Sequence, residues 1–320
     1  MKTLPILFAL LWGTSSPGQA AHVVVPNELA GVEGNTAQLT PFTGPDAPPP
    51  GGFLYDSVRY QQVYEASQFA ALGPGGEFVV SITIRIDSDV GEGFAAVLRD
   101  VQVNLSVTQK PADGLSTTFA ENVGLNDTVV FPRGQLEFGW GFSPFERPQG
   151  FGGFIPDVWY FYRPSAGNLL LDIRVFTYSN SFRATFFDAS SVAGDAISCV
   201  ASTNVTSAVG QRFTQGLVTQ FHTFPTPALS LTWTNGSLRF TWVDYPRGYR
   251  LETRDCLDCA SAWQPVAERG TTNEYVREVL LPLETGAPAH FYRLCWTSPA
   301  KALTADKDAG EAIFNAAKNR

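Results

Sequence analysis

Leu229-Ser-Leu-Thr-Trp-Thr-Asn-Gly-Ser-Leu-Arg-Phe-Thr-Trp242 reads as two strands around a two-residue turn. Apolar and polar residues alternate on both sides of Asn235-Gly236, and Asn-Gly supplies the two left-handed positions that a type I′ hairpin turn requires. A two-residue loop fixes the register. Trp233 falls opposite Leu238, Leu231 opposite Phe240 and Leu229 opposite Trp242, which puts all six side chains on one face. One apolar face per strand is half of a β-sandwich. Tyr249 to Thr253, Tyr275 to Leu281 and His290 to Trp296 supply further strands. Residues 225–298 are therefore expected to form a small immunoglobulin- or fibronectin-III-like module, although the Cys…Trp…Cys spacing of a true immunoglobulin domain is missing.

Moving towards the N-terminus, Phe224-Pro-Thr-Pro227 is a stiff linker and marks a domain boundary. Before it, period-two alternation recurs. Val80, Ile82, Ile84 and Ile86 form one set and Val101, Val103, Leu105 and Val107 another. Leu169, Leu171, Ile173 and Val175 follow, then Phe182, Ala184 and Phe186, and more weakly Leu217, Thr219 and Phe221. The spacing leaves no room for the crossover helices of a parallel sheet. Residues 22–224 thus read as a jelly-roll-like β-sandwich, and the fold class is all-β. Residues 299–320, opened by Ser298-Pro299, have the composition of a short helical or disordered tail.

The bulk composition agrees. The chain has 320 residues, 44% of them hydrophobic and 16% charged, with 29 glycines and 22 prolines, which favours short strands and turns over long helices. A net charge of −8 with no Lys/Arg cluster argues against nucleic acid as a partner. Residues 1–21 read as a signal peptide. Lys2 precedes the apolar run Leu4 to Trp12, Ser15-Ser16-Pro17 breaks the helix, and Gly18-Gln19-Ala20 offers small residues for cleavage after Ala20 or Ala21. No later apolar run is long enough for a transmembrane helix. The expected location is therefore secreted or in the cell envelope. Export also permits disulfides, and Cys256 and Cys259 are expected to pair locally.

Several segments carry a resemblance. Arg59-Tyr-Gln-Gln-Val-Tyr-Glu-Ala-Ser-Gln-Phe69, Asp100-Val-Gln-Val-Asn-Leu-Ser106, Gly114-Leu-Ser-Thr-Thr-Phe119 with Asn122-Val-Gly124, Gly167-Asn-Leu-Leu-Leu-Asp-Ile-Arg174 and Gly216-Leu-Val-Thr-Gln-Phe221 run in order over about 160 residues. Together they resemble exported proteins of planctomycete and verrucomicrobial bacteria, many of which carry a PEP-CTERM sorting tail. Tyr249-Arg-Leu-Glu252, Trp263 and Phe291-Tyr-Arg-Leu294 are similar to a small β module appended to such proteins. The resemblance implies export and a β-rich domain, but no catalytic residue. The Pro-Glu-Pro motif, apolar anchor helix and basic terminus of the sorting tail are missing from this sequence.

Candidate chemistry is sparse. Three histidines and no G-x-S-x-G elbow argue against a Ser/His/Asp hydrolase. Glycoside hydrolysis needs two carboxylates about 5 to 9 Å apart, for which Glu65, Asp87, Glu137, Asp157, Asp172 and Asp188 are available. Asp87, Asp89 and Glu92 lie in a glycine-containing loop after a strand and are candidate calcium ligands. The aromatic, glycine-rich stretch around Phe138-Gly-Trp-Gly-Phe142 and Trp159-Tyr-Phe-Tyr162 offers Trp140, Trp159 and Tyr160 as ligand-stacking rings. The expectation is a non-catalytic structural or ligand-binding exported protein, with polysaccharide or another cell-surface protein as partner. The alternative is a carbohydrate-active enzyme or a calcium-assisted carbohydrate binder.

Overall fold

The computed structural model describes residues 21–42, 57–88, 94–140, 148–177, 187–244, 248–256, 261–267, 271–273, 276–282 and 290–296. Residues 1–20 of the expected signal peptide 1–21, the set Phe182, Ala184 and Phe186, and the tail 299–320 lie outside these residues. The described chain is nearly all β-strand, and its helical segments are 3₁₀ turns of three or four residues. No helix among the described residues is long and apolar enough to cross a membrane. The chain divides into two compact units between Thr226 and Pro227.

Among the described residues the first unit has fourteen strands: β1 (Ala21–Val25), β2 (Asn35–Thr36), β3 (Val58–Tyr64), β4 (Glu77–Arg85), β5 (Phe94–Thr108), β6 (Thr128–Trp140), β7 (Phe151–Phe154), β8 (Tyr160–Tyr162), β9 (Asn168–Thr177), β10 (Asp188–Ser190), β11 (Ile197–Ser202), β12 (Gln211–Phe213), β13 (Gly216–Leu217) and β14 (Thr219–Pro225). One sheet runs β1-β14-β4-β7, with β8 pairing farther along β4. A second runs β12-β11-β3-β9-β5-β6, and a short third runs β13-β10-β2.

The alternation read from the sequence builds the core. Tyr60 and Tyr64 of β3, Val103 and Leu105 of β5, and Leu169, Leu171, Ile173 and Val175 of β9 are all buried in one cluster with Ile82, Ile84 and Phe221 from the other large sheet. Tyr64 and Phe221 meet edge to face at 4.9 Å, a favoured aromatic geometry. One set needs correction: Val80 is only half-buried and Val79 takes its place inside. Ser81 pairs with His222 but Val79 pairs with Thr223, so Val80 is an extra residue that flips the alternation of β4.

The outer face of the six-stranded sheet is not left to solvent. Residues 109–127, joining β5 to β6, lie over it. Leu115 and Phe119 of this covering segment pack with Val63, Leu170 and Val200 in a second apolar cluster. Gly124 has to be glycine for this fit, because a Cβ there would sit 1.7 Å from the Val107 carbonyl oxygen.

The second unit comprises β15 (Ser230–Thr234), β16 (Ser237–Val243), β17 (Tyr249–Arg254), β18 (Gln264–Pro265), β19 (Thr271–Asn273), β20 (Val276–Pro282) and β21 (Phe291–Trp296). Its sheets, β15-β16-β20-β19 and β18-β17-β21, have the strand order of an immunoglobulin-like sandwich. The hairpin register is as read: Leu231 faces Phe240 and Trp233 faces Leu238. Asn235 and Gly236 take φ of 48° and 79°, the left-handed pair that the turn demands. The expected third pair, Leu229 with Trp242, lies beyond the ladder, which begins at Ser230. Burial is also uneven. Phe240 and Trp242 are 1% and 3% exposed, but Leu231 and Trp233 are 46% and 57% exposed, because β15 is the sheet edge.

This contrast gives a test. Phe221→Ala should destabilise the first unit by about 3–5 kcal/mol, the cost of an aromatic cavity. Trp233→Ala should move the second unit's urea transition by less than about 0.5 kcal/mol. A large effect at Trp233 would mean that this ring is covered in solution.

Candidate functional site

The three candidate stacking rings do not form one platform. Tyr160 is 3% exposed, and its hydroxyl accepts a 2.6 Å hydrogen bond from Asn126 Nδ2, so it is a core residue and not a ligand contact. Burial pushes its phenol pKa well up. Trp159, one residue earlier, is half-buried, and alternation turns it to the opposite side. Trp140 ends β6 with its backbone opposite Phe94, and its ring lies outside the described residues. Asp87 is buried just beyond β4, whereas Asp89 and Glu92 lie outside the described residues. Among the described residues no three metal-ligating side chains converge. Cys256 follows β17, and Cys259 also lies outside.

Two of the strand carboxylates, Asp172 and Asp188, are committed to structure. Asp172 accepts from Arg59 Nη2 at 2.7 Å, Gln61 Nε2 at 2.9 Å and Arg174 Nη2 at 3.2 Å. Asp188 pairs with the buried Arg85 at 3.2 Å and accepts from the Gly34 amide at 2.9 Å. Burial outweighs the Arg85 charge and raises the Asp188 pKa to about 6. Arg85 in turn donates to the Val32 and Ala30 carbonyls at 2.8 and 3.0 Å. Glu65 accepts from the Ala112 amide at 2.7 Å and holds the covering segment. A general acid has to reach its substrate, and Asp172 and Asp188 are both enclosed.

A cleft of about 780 Å³ opens beside the edge strand β12. Gln38, Ser202, Thr203, Gln211, Arg212 and Phe213 contribute its polar, cationic and aromatic surface. Its described lining holds no carboxylate and no histidine. Gln215 builds one wall: its Oε1 accepts from the Gln38 amide and its Nε2 donates to the Leu39 carbonyl, both at 2.8 Å. Gly210 builds another by approaching so closely that a Cβ would lie 2.7 Å from both the Ala201 oxygen and the Phe119 ring. Such a cavity can hydrogen-bond a polar ligand and stack it on one ring, but carries no acid–base pair. Sequence reading missed it because its residues have ordinary turn composition.

A second feature was also hidden. His22 and His222 stand opposite each other on β1 and β14, with ring centroids 4.2 Å apart at 71°. His222 Nε2 lies 3.0 Å from Gln220 Oε1. Burial, and then the neighbouring His22, push the His222 pKa down to about 4. Comparison with protein-family models, with curated proteins and with solved structures gives no match for this chain.

The His222 environment predicts a pH limb. Unfolded chain takes up this proton near pH 6.5, and the folded chain only near 4. Between those values the unfolded state binds more protons, so stability that is complete above about pH 6.5 is lost as the pH falls. His222→Gln should flatten this part of the stability curve, measured as urea midpoints between pH 7.5 and 4.5. An equally steep fall in the variant would assign the limb to other groups.

Proposed function

We propose that the chain is an exported, non-catalytic ligand-binding protein of the cell surface or extracellular space, and that it takes a polyhydroxylated ligand in the cleft beside β12. The cleft's chemistry carries this reading. Hydroxyl and amide groups match sugar hydroxyls, Phe213 offers a ring for stacking, and Arg212 suits an anionic or hydroxyl-rich ligand. The absence of a carboxylate from the described lining favours binding over hydrolysis.

Export is part of the proposal and rests on the signal-like N-terminus, the all-β units and the resemblance to exported bacterial proteins. A Cys256–Cys259 disulfide belongs with it. Calcium would enter only through Asp87, Asp89 and Glu92.

The test is a saccharide panel, neutral and acidic, titrated against the full processed chain and followed by intrinsic fluorescence and calorimetry, with and without calcium. Binding of at least one class is expected, and Arg212→Ala should weaken it roughly tenfold, about 1.4 kcal/mol, with the thermal midpoint unchanged. Binding indifferent to Arg212 and Phe213 would remove the cleft from this role. Release of reducing ends would favour the enzyme reading instead.

A further inference from the structure

The sequence holds no Lys/Arg run, yet the pairing of β17 with β21 gathers three arginines on one face of the second unit. Arg250, Glu252 and Arg254 alternate along β17 with the buried Tyr249 and Leu251. Arg293 stands opposite Glu252 on β21, while its neighbour Tyr292 points the other way and meets Phe240 of the facing sheet at 4.5 Å. The three arginines therefore share the outer face of β18-β17-β21. We propose that this face binds an acidic polysaccharide, with Arg250, Arg254 and Arg293 as its anion-binding groups.

The arginines are set in place by what lies beneath them. Glu252 is 2% exposed and gives one oxygen to each neighbour. Its Oε1 accepts from Arg250 Nε and Nη2 at 2.9 and 2.7 Å, and its Oε2 from Arg293 Nε and Nη2 at 3.0 and 2.8 Å. Burial works against the Glu252 charge, but the bonds from Arg293 and Arg250 outweigh it and hold the carboxyl below its ordinary range. Arg293 also lies 4.4 Å over the Trp263 ring, and Arg254 reaches the same ring at 5.9 Å. Nη1 of Arg250 and of Arg293 has no acceptor among the described residues. Both side chains are within reach of a ligand, at 48% and 46% exposed. One buried carboxylate thus orients two guanidinium groups, and with Arg254 the face carries more positive than negative charge. The adjacent Asp255 is turned to His290, 2.9 Å from its ring.

The backbone selects the kind of polyanion. β17 is the central strand, paired with β21 along Tyr249–Arg254 and with β18 at Glu252 and Thr253. An acidic peptide crossing this face finds no sheet edge, the contact from which extended peptides draw their main-chain affinity. A sugar chain presents hydroxyls and anionic groups, which guanidinium donors match directly. Arg250 and Arg254 are about 14 Å apart along the strand, a span that a few sugar units cover. This face lies in the second unit, and its role does not depend on the cleft beside β12.

The experiment is calorimetric titration of the full chain with polygalacturonate, with neutral dextran and polyglutamate as comparison polymers, at low and high salt. Polygalacturonate should bind, more weakly as salt is raised. Arg250→Gln, Arg254→Gln and Arg293→Gln should each weaken this binding roughly tenfold. Arg239→Gln, on the other sheet, and Arg212→Ala, in the cleft, should not. Any dextran binding belongs to the cleft and should ignore the three substitutions. Circular dichroism melts show which variants fold, and Arg254→Gln, which leaves both Glu252 pairs intact, keeps the test open if the others do not. No polygalacturonate binding, or binding unchanged by the three substitutions, overturns the proposal. Weakening by Arg212→Ala alone assigns the polymer to the cleft and also overturns it. Polyglutamate binding as tightly at the same arginines overturns the choice of a polysaccharide.

Discussion

A strand buried on both faces has to find a partner for every polar atom it carries, and β3 sets this problem twice. Gln61 and Gln62 are adjacent, fully buried and point to opposite sides of the six-stranded sheet. Gln62 faces the sandwich interior, where it donates to the Leu217 carbonyl at 2.9 Å and accepts from the Leu217 amide at 2.8 Å. The side chain therefore acts as a short piece of backbone that captures β13. Gln61 faces outward, donates to Asp172 and to the Phe119 carbonyl, and accepts from Asn122 Nδ2. One residue docks the opposing layer and its neighbour docks the covering segment. An unsatisfied buried amide costs about 1–3 kcal/mol, so neither layer can leave without stranding a glutamine.

Segments from five parts of the first unit converge on this network. Arg59 to Phe69 supplies β3, Gly114 to Gly124 the covering segment, Gly167 to Arg174 most of β9, and Gly216 to Phe221 the captured strand. Asp100 to Ser106 lies in β5, whose Asn104 is opposite Asp172. These residues define how the layers lock together. The second unit repeats the logic with charge. Glu252 is buried between two arginines, accepting from Arg250 Nη2 at 2.7 Å and Arg293 Nη2 at 2.8 Å, and Arg293 lies 4.4 Å over the Trp263 ring.

What the sequence made legible follows from the range of each effect. Alternation in β5 and β9 and the Asn235-Gly236 register are local, and both appear in the structure where the residues are described. Val80 was misread because a bulge is decided by pairing with β14, more than a hundred residues away. Alternation in β9 turns Asp172 away from the apolar side, but its burial depends on Arg59, Gln61 and Arg174, two of them brought from another strand. Leu231 and Trp233 alternate as a buried strand does, yet an edge position leaves them open, and strand order is not written in periodicity. The cleft and the facing histidines are products of the same long-range pairing, so no local pattern announces them.

The fixing of β1 is the last link. A chain's first strand ordinarily frays, but here five consecutive residues pair with β14. Just downstream, the Asn27 amide and side chain both bond to Gln68, at 2.7 and 3.1 Å. Farther on, Arg85 grips the carbonyls of Ala30 and Val32 while Asp188 takes the Gly34 amide. A fully buried ion pair contributes little net stability, since desolvation offsets most of its attraction. Its effect is directional: only one path of residues 30–34 satisfies both charges, and that path feeds back to β1. β1 is thereby among the better-anchored of the described segments, and a strand held this firmly presents its side chains in defined places.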